Sequence, residues 1–353
     1  MTSRPAVPHH ASSARSPSQG GFSLIEFMVA LAVGLLLVAG LATLFANSSY
    51  SGRELEKSLR QIESGQYALD LMGENISMAG YYGDLSTATL ARSNPSPCAT
   101  AVTALGWDSA TLTVPSAVQG LTSTEAAALF AATPTCLPSY KTGTAALVTR
   151  HLETASATAG TSTNGAAYVQ TSRCATDPVA TPFIIATAST SFTLKGLSCT
   201  STVMPVQRYV SRLYYVASCN ECGVDTIPTL KRMELVSGAL VTSPLVEGID
   251  DAAFEFAFDT NSDGLPDAFA TTASGASNTW ANVVGVRMHV LARSAEASAD
   301  VVNDAVVSGT AVYNKTYALG LAGTRGPFGD GYKRRAYSMT ARLNNVAGPR
   351  AQQ

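Results

Sequence analysis

Residues 22–46 form an apolar run of 25 residues broken by one charge, Glu26, five residues after the second glycine of the pair Gly20-Gly21. As a helix rising about 1.5 Å per residue, the run would reach roughly 37 Å, enough to cross the hydrocarbon core of a bilayer. A membrane helix is therefore the first expectation. An ionised carboxylate near the start of such a segment costs roughly 2.5 kcal/mol or more in lipid, so Glu26 needs either an interfacial position or a partner.

The residues before the run have a different character. Segment 1–21 holds Arg4, Arg15, His9, His10, three prolines and many serines, with no acid and no apolar periodicity. Such a composition does not build a core and reads as a basic leader. A secretory signal would place small residues after its apolar stretch, whereas Gly20 and Gly21 precede it. Cleavage there would leave the hydrophobic helix on the mature chain. The two arginines ahead of the helix, with no acids beside them, predict an N-terminus in the cytoplasm and the rest of the chain outside.

The motif Gly21-Phe22-Ser23-Leu24-Ile25-Glu26, followed by an apolar helix, resembles the N-terminal signal of type IV pilins and pseudopilins. The resemblance implies that a prepilin peptidase cuts after Gly21 and methylates Phe22. It also implies that Glu26 meets the free amine of a neighbouring subunit in the filament core. That ion pair would relieve the desolvation of Glu26 and set the axial register.

Past the membrane run, Leu55, Leu59, Ile62, Leu69, Met72 and Ile76 recur at helical spacing and predict a second, amphipathic helical half over 48–80 with one buried stripe. Arg53, Glu56 and Arg60 are spaced for ion pairs on the solvent side. Gly65 and Gly73 read as interruptions, and Gly80 as the stop. The remainder, 81–353, is poor in charge and rich in Thr, Ser, Ala and Val. Short β-prone runs fall at 145–150, 166–170, 183–186, 191–194, 206–216, 253–258, 283–292 and 337–343. Phe254, Phe256 and Phe258 lie two apart, which puts three rings on one strand face. The expected fold class is α+β: a long N-terminal helical spine packed on an antiparallel β-sheet head. Its domains are a leader 1–21, a membrane or filament-core half 22–47, an amphipathic half 48–80 and a head 81–353, with a loop-rich insertion around 95–200.

Within the head, several stretches resemble the PilW family of minor pilins. They are Tyr67-Ala68-Leu69-Asp70-Leu71-Met72 with Ile76-Ser77-Met78-Ala79-Gly80-Tyr81-Tyr82-Gly83, Leu245-Val246-Glu247-Gly248-Ile249, Val284-Gly285-Val286-Arg287 with Leu291-Ala292-Arg293-Ser294, and the terminal run from Arg334 to Asn344. The minor pseudopilin J of type II secretion has related elements. The resemblance implies a structural subunit that primes assembly or caps the filament tip. Its partners would be other minor pilins, the major pilin, the prepilin peptidase, the inner-membrane assembly platform and a tip adhesin. It would sit in the inner membrane as a single-pass protein before assembly, and in the periplasm and the extracellular pilus afterwards.

Cys98, Cys136, Cys174, Cys199, Cys219 and Cys222 all follow the membrane run, on the side where disulfides persist. An even count permits full pairing, and sequential pairing is the expectation. Cys219-Asn220-Glu221-Cys222 has dithiol or zinc-knuckle spacing, but no second such pair, nearby histidine or thioredoxin-like pattern accompanies it. It reads as a small structural loop.

Asp259, Asn261, Asp263 and Asp267 stand at positions one, three, five and nine of a loop with Gly264 at six and the Leu265 carbonyl at seven, the order in which a calcium loop presents hard oxygen ligands. Position twelve is Ala270 rather than a bidentate glutamate, and the flanks are β-prone with Pro266 inside. The expectation is a β-flanked Ca²⁺ site completed by water or by Asp250 or Asp251. An ordinary Asp/Asn/Gly turn is the plainer reading.

Enzymatic motifs are absent. Beyond the leader only His151 and His289 remain, in unrelated contexts, and no phosphate loop, dinucleotide fingerprint or hydrolase elbow occurs. The 23 basic residues less Arg4 and Arg15 leave 21 against 25 acids, so nucleic acid is not expected as a main ligand. The basic cluster Lys333, Arg334 and Arg335 reads as a solvated strand edge. A type II secretion pseudopilin and a pilin-anchored, calcium-dependent adhesin are the alternatives to a non-enzymatic pilus subunit.

Overall fold

The structure is a computed structural model and describes residues 21, 23–85, 90–132, 136–161, 165–177, 182–200, 203–275, 279–298, 315–328 and 330–352. The leader up to residue 20 and Phe22 lie outside them.

One helix, α1 (Leu24–Met78), runs through both halves expected from the sequence. Two compact units divide between Leu55 and Glu56. The first carries a window of mean hydropathy 2.5 with none of its residues buried, a helix long and apolar enough to cross a membrane. In the second unit the α1 residues that are buried are Gln61, Gly65, Ala68, Leu69, Met72, Gly73 and Ile76.

The expected stripe therefore needs correction at its start, because Leu55 and Leu59 are exposed and burial begins at Gln61. A glutamine holds that first buried position because its amide donates to the carbonyls of Ala292 and Lys333, at 2.7 and 2.8 Å. Gly65 and Gly73 do not interrupt the helix; they are contact points for the sheet. Gly80 adopts φ +79°, the left-handed turn that ends a helix.

In chain order the strands are β1 (Ala91–Ser93), β2 (Thr113–Pro115), β3 (Val118–Leu121), β4 (Ala146–Ala157), β5 (Tyr168–Thr171), β6 (Phe183–Ala186), β7 (Val206–Ala217) and β8 (Thr229–Val236). They continue as β9 (Ala239–Glu247), β10 (Ile249–Phe258), β11 (Ala268–Ala270), β12 (Val283–Arg293), β13 (Tyr317–Ala318), β14 (Thr324–Arg325) and β15 (Arg334–Arg342). Helix α2 (Ser123–Ala131) and helix α3 (Asn344–Arg350) complete the main elements.

A four-stranded antiparallel sheet has the order β11-β10-β12-β15. A seven-stranded sheet has the order β3-β4-β7-β5-β6, with β8 pairing β7 and β9 pairing β8. The main core joins Leu69, Met72 and Ile76 of α1 to Phe254, Phe256, Phe258, Val286, Met288 and Val290, and reaches Leu147, Tyr214 and Leu230 of the larger sheet. The three phenylalanines share that cluster, as their spacing requires. β10 is buried along its whole length, so its other face carries the buried acids Asp251 and Glu255 in ion pairs.

Two further sequence expectations change. The run 191–194 is not a strand: after a short 3-10 turn, the Leu194 N–H donates to the Gln170 side chain at 2.9 Å instead of to a ladder. The span 95–200 is more than loops and short strands, since its twelve-residue β4 sits between β3 and β7.

Candidate functional site

The N-terminal end of α1 is the first site. The Glu26 Oε2 accepts the Ser23 N–H at 3.0 Å, and the Ser23 hydroxyl accepts from the Ile25 N–H at 3.4 Å, so two first-turn donors are satisfied within one turn. A carboxylate there also faces the positive end of the helix dipole. Around it the helix shows bare apolar side chains: Leu24, Ile25, Phe27, Met28 and Leu36 are each more than half exposed. This surface is built to be covered by lipid or by other apolar helices. Gly21 is exposed ahead of the helix.

The loop after β10 holds the sequence-predicted oxygen ligands. The Asp259 side chain, fully buried, accepts the Ser262 N–H at 2.6 Å and the Gly264 N–H at 3.0 Å. Asn261 Oδ1 accepts the Asp263 N–H at 3.0 Å, and Asp263 Oδ1 accepts the Leu265 N–H at 2.7 Å. Gly264, at φ +80°, leaves no room for a Cβ, which would lie 2.5 Å from the Ala347 carbonyl oxygen. These stacked turns keep the order of a calcium loop.

The ligands themselves do not converge. Asp267 is turned to Thr260, accepting its N–H and hydroxyl at 2.7 Å, and these bonds hold its carboxyl below the usual carboxylate range. Arg350 of α3 reaches Asp259 Oδ2 at 3.1 Å. Among the described residues no group of three His, Cys, Asp or Glu side chains could hold a metal ion. As folded, the donor set fits a turn closed by a guanidinium rather than a divalent-ion cage. Neither distant acid is free to complete it: Asp250 pairs with Lys141 and with Arg334 Nε at 2.7 Å, and Asp251 pairs with Arg325 Nε at 2.5 Å.

The cysteines are joined as Cys98–Cys136, Cys174–Cys199 and Cys219–Cys222. The first ties the segment before β2 to the loop after α2, and the second closes the loop that carries β6. His151 is buried with Nδ1 at 2.9 Å from the Leu152 carbonyl. His289 is not isolated: its Nε2 lies 2.9 Å from Glu255 Oε1, with Arg287 Nη1 at 3.0 Å from Oε2 and the Leu321 N–H at 2.8 Å from Oε1. Arg334 is likewise not a solvated edge; it is buried, bonded to Asp250 and Asp330, while its neighbour Arg335 is exposed.

Sequence reasoning missed Arg150. Its guanidinium is buried and bonded to the Pro95 carbonyl at 2.9 Å, the Ser116 carbonyl at 3.3 Å and Gln119 Oε1 at 2.8 Å. It missed Asn345 too, whose amide donates to the carbonyls of Ser77 and Met78 at 3.3 and 3.2 Å and so caps the end of α1.

Residues 16–42 match the prokaryotic N-terminal methylation motif. With the uncovered apolar helix and the antiparallel head, this defines a membrane-anchored protein of the type IV pilin class. Residues 213–345 match the family of type IV pilus-assembly protein W. The chain is a PilW-like minor pilin of a type IV pilus, and its work is with other pilus components. No curated protein and no solved structure matches it.

Proposed function

We propose that this minor pilin primes assembly or caps the filament tip, acting by helix packing rather than by catalysis. The supporting observation is the apolar first half of α1, uncovered along its length and carrying Glu26 in its first turn. After cleavage at Gly21 and methylation of Phe22 by the prepilin peptidase, the helix stays in the inner membrane until the assembly platform moves it among neighbouring spines. Lipid is then exchanged for the helices of other minor pilins and the major pilin, and Glu26 pairs with a neighbour's amine. The head, with its added β4-centred sheet, is large for a crowded shaft, which favours an end position where a tip adhesin can attach. Calcium enters this proposal only as a competitor of Arg350 for Asp259.

Glu26→Ala tests the mechanism in the native host. Membrane insertion and processing are expected to persist while recovery in sheared filaments falls. Wild-type recovery and normal pili would sink the role given to Glu26, and loss of secretion without loss of pili would move the protein to a secretion pseudopilus.

A further inference from the structure

The third disulfide, Cys219–Cys222, differs from the other two in what it constrains and in what stands beside it. Its cysteines are 3 residues apart in sequence, against 25 and 38 for the others, so it removes the least freedom from the unfolded chain. The loop it closes has other ties: Asp225 Oδ1 accepts the N–H groups of Asn220 and Ile227, each at 2.9 Å, and Oδ2 accepts that of Glu221 at 2.6 Å. Cys219 is buried and Cys222 is exposed. Beside them Lys231 of β8 is buried, and its ammonium donates to the Asn220 carbonyl at 3.0 Å and reaches Cys222 Sγ at 3.6 Å. A disulfide sulfur is a weak acceptor, so this buried cation is poorly met while the bond is intact. A thiolate at Cys222 would give it a full counter-charge. Asp225 lies within the field of Lys231, but its oxygens are committed to the loop amides. Glu221 and Glu247 also face the loop, the latter bonded to Asn220 Nδ2 at 2.6 Å, and both are exposed and screened by solvent. Arg293 Nη2 donates to the Thr226 carbonyl at 3.3 Å and brings a second cation to the same loop.

We propose that Cys219–Cys222 is a thiol–disulfide exchange site that takes a dithiol and is attacked at Cys222. The thiolate of the dithiol attacks Cys222 Sγ, the exposed sulfur. The S–S bond breaks, and its electron pair leaves on the Cys219 sulfur, which takes a proton. The second thiol of the donor, its proton lost to water, then attacks the donor's own sulfur in the mixed disulfide, and Cys222 departs as a thiolate beside Lys231. The donor is oxidised to a disulfide and the cysteine pair is reduced, with two electrons passed in all. Lys231 acts on the second step, because a sulfur whose thiolate is stabilised leaves faster, and it favours the reduced state of this pair. The Asp225 bonds hold the loop in place after the sulfurs part. The site belongs to the head alone and does not depend on how α1 packs in a filament.

The test is peptide mapping by mass spectrometry of the detergent-solubilised full-length protein, equilibrated with graded dithiothreitol and then alkylated. Cys219–Cys222 is expected to open at a reductant concentration at least about tenfold below that needed for Cys98–Cys136 and Cys174–Cys199. Reduced thioredoxin in a parallel arm separates the sources: reduction by it supports a protein dithiol as donor, and reduction by dithiothreitol alone supports a small one. Lys231→Gln should raise the dithiothreitol needed about tenfold, and Lys231→Arg should restore most of the difference. Cys219→Ser carries the test should Lys231→Gln fail to fold: the alkylation rate of the freed Cys222 should level off at lower pH than that of a cysteine peptide. Opening no earlier than the other two disulfides, no change in a folded Lys231→Gln, or an ordinary alkylation profile at Cys222 would each overturn the proposal.

Discussion

The ring of Tyr337 fills the space that a side chain at Gly65 would need: an added Cβ would lie 2.4 Å from Cδ2 and 2.5 Å from Cε2. Eight residues along α1, two turns and on the same face, a Cβ at Gly73 would lie 2.3 Å from Met339 Cε. The two glycines thus meet successive inward side chains of β15. An aromatic ring on a strand moves as a block, whereas the end of a methionine swings aside.

Gly65→Ala is therefore expected to lower stability by about 1–3 kcal/mol through overpacking, against roughly 1 kcal/mol gained from helix propensity. Gly73→Ala should be near neutral. Denaturant unfolding of the detergent-solubilised protein measures both, and equal effects at the two positions would refute the distinction.

Much of this relation was legible in the sequence, and its sign was not. The 3.6-residue period over α1 located the helix, but periodicity does not say which small residues are gaps and which are seats for another element. The stripe failed at Leu55 and Leu59 because helical phase fixes a face, not where the partner sheet begins. The β8–β9 hairpin was overlooked although Ser237-Gly238 is its turn, at φ 49° and 80°; a serine in the left-handed region is a weak signal beside Asn-Gly. Helix α2 was missed as well, because its run is short and weakly patterned; the signal that could have found it is Thr122 with Glu125, which form a capping box in the structure. For the candidate sites, residue order gave the loop turns around Asp259, but the cation that closes them, Arg350, lies 91 residues away. Glu255, His289 and Arg287 meet only through the β10–β12 register, in which Glu255 opposes Arg287 and Ala253 opposes His289.

Burial pushes the Glu255 carboxyl up, but the Leu321 N–H, His289 and Arg287 outweigh it and hold it below the usual value. A carboxyl whose folded value is depressed stabilises the fold above its unfolded value, about 4.3, and that contribution is lost as pH falls through the folded value. Wild-type melting temperature should thus drop on acidification below about pH 4.5. Glu255→Gln should start lower at pH 7 and show a flatter acid limb. A parallel pH profile in the variant would show that Glu255 does not carry this dependence.

Asp259 is a fully buried carboxylate whose cation comes from α3. Removing that cation leaves a buried charge to be met otherwise, a loss of roughly 3–5 kcal/mol for an unrelieved pair. The loop retains Asn261, Asp263 and the Leu265 carbonyl in ligand order, and we propose that Ca²⁺ takes the place of the guanidinium once it has gone. Arg350→Gln is expected to melt lower than wild type without metal and to recover part of the loss in millimolar CaCl₂ but not in MgCl₂, because the smaller ion demands a stricter octahedral cage. Wild type should respond less to calcium than the variant, and Asp259→Asn combined with Arg350→Gln should not respond. A wild-type response as large as the variant's would refute competition by Arg350, and no response in either would remove calcium from this loop.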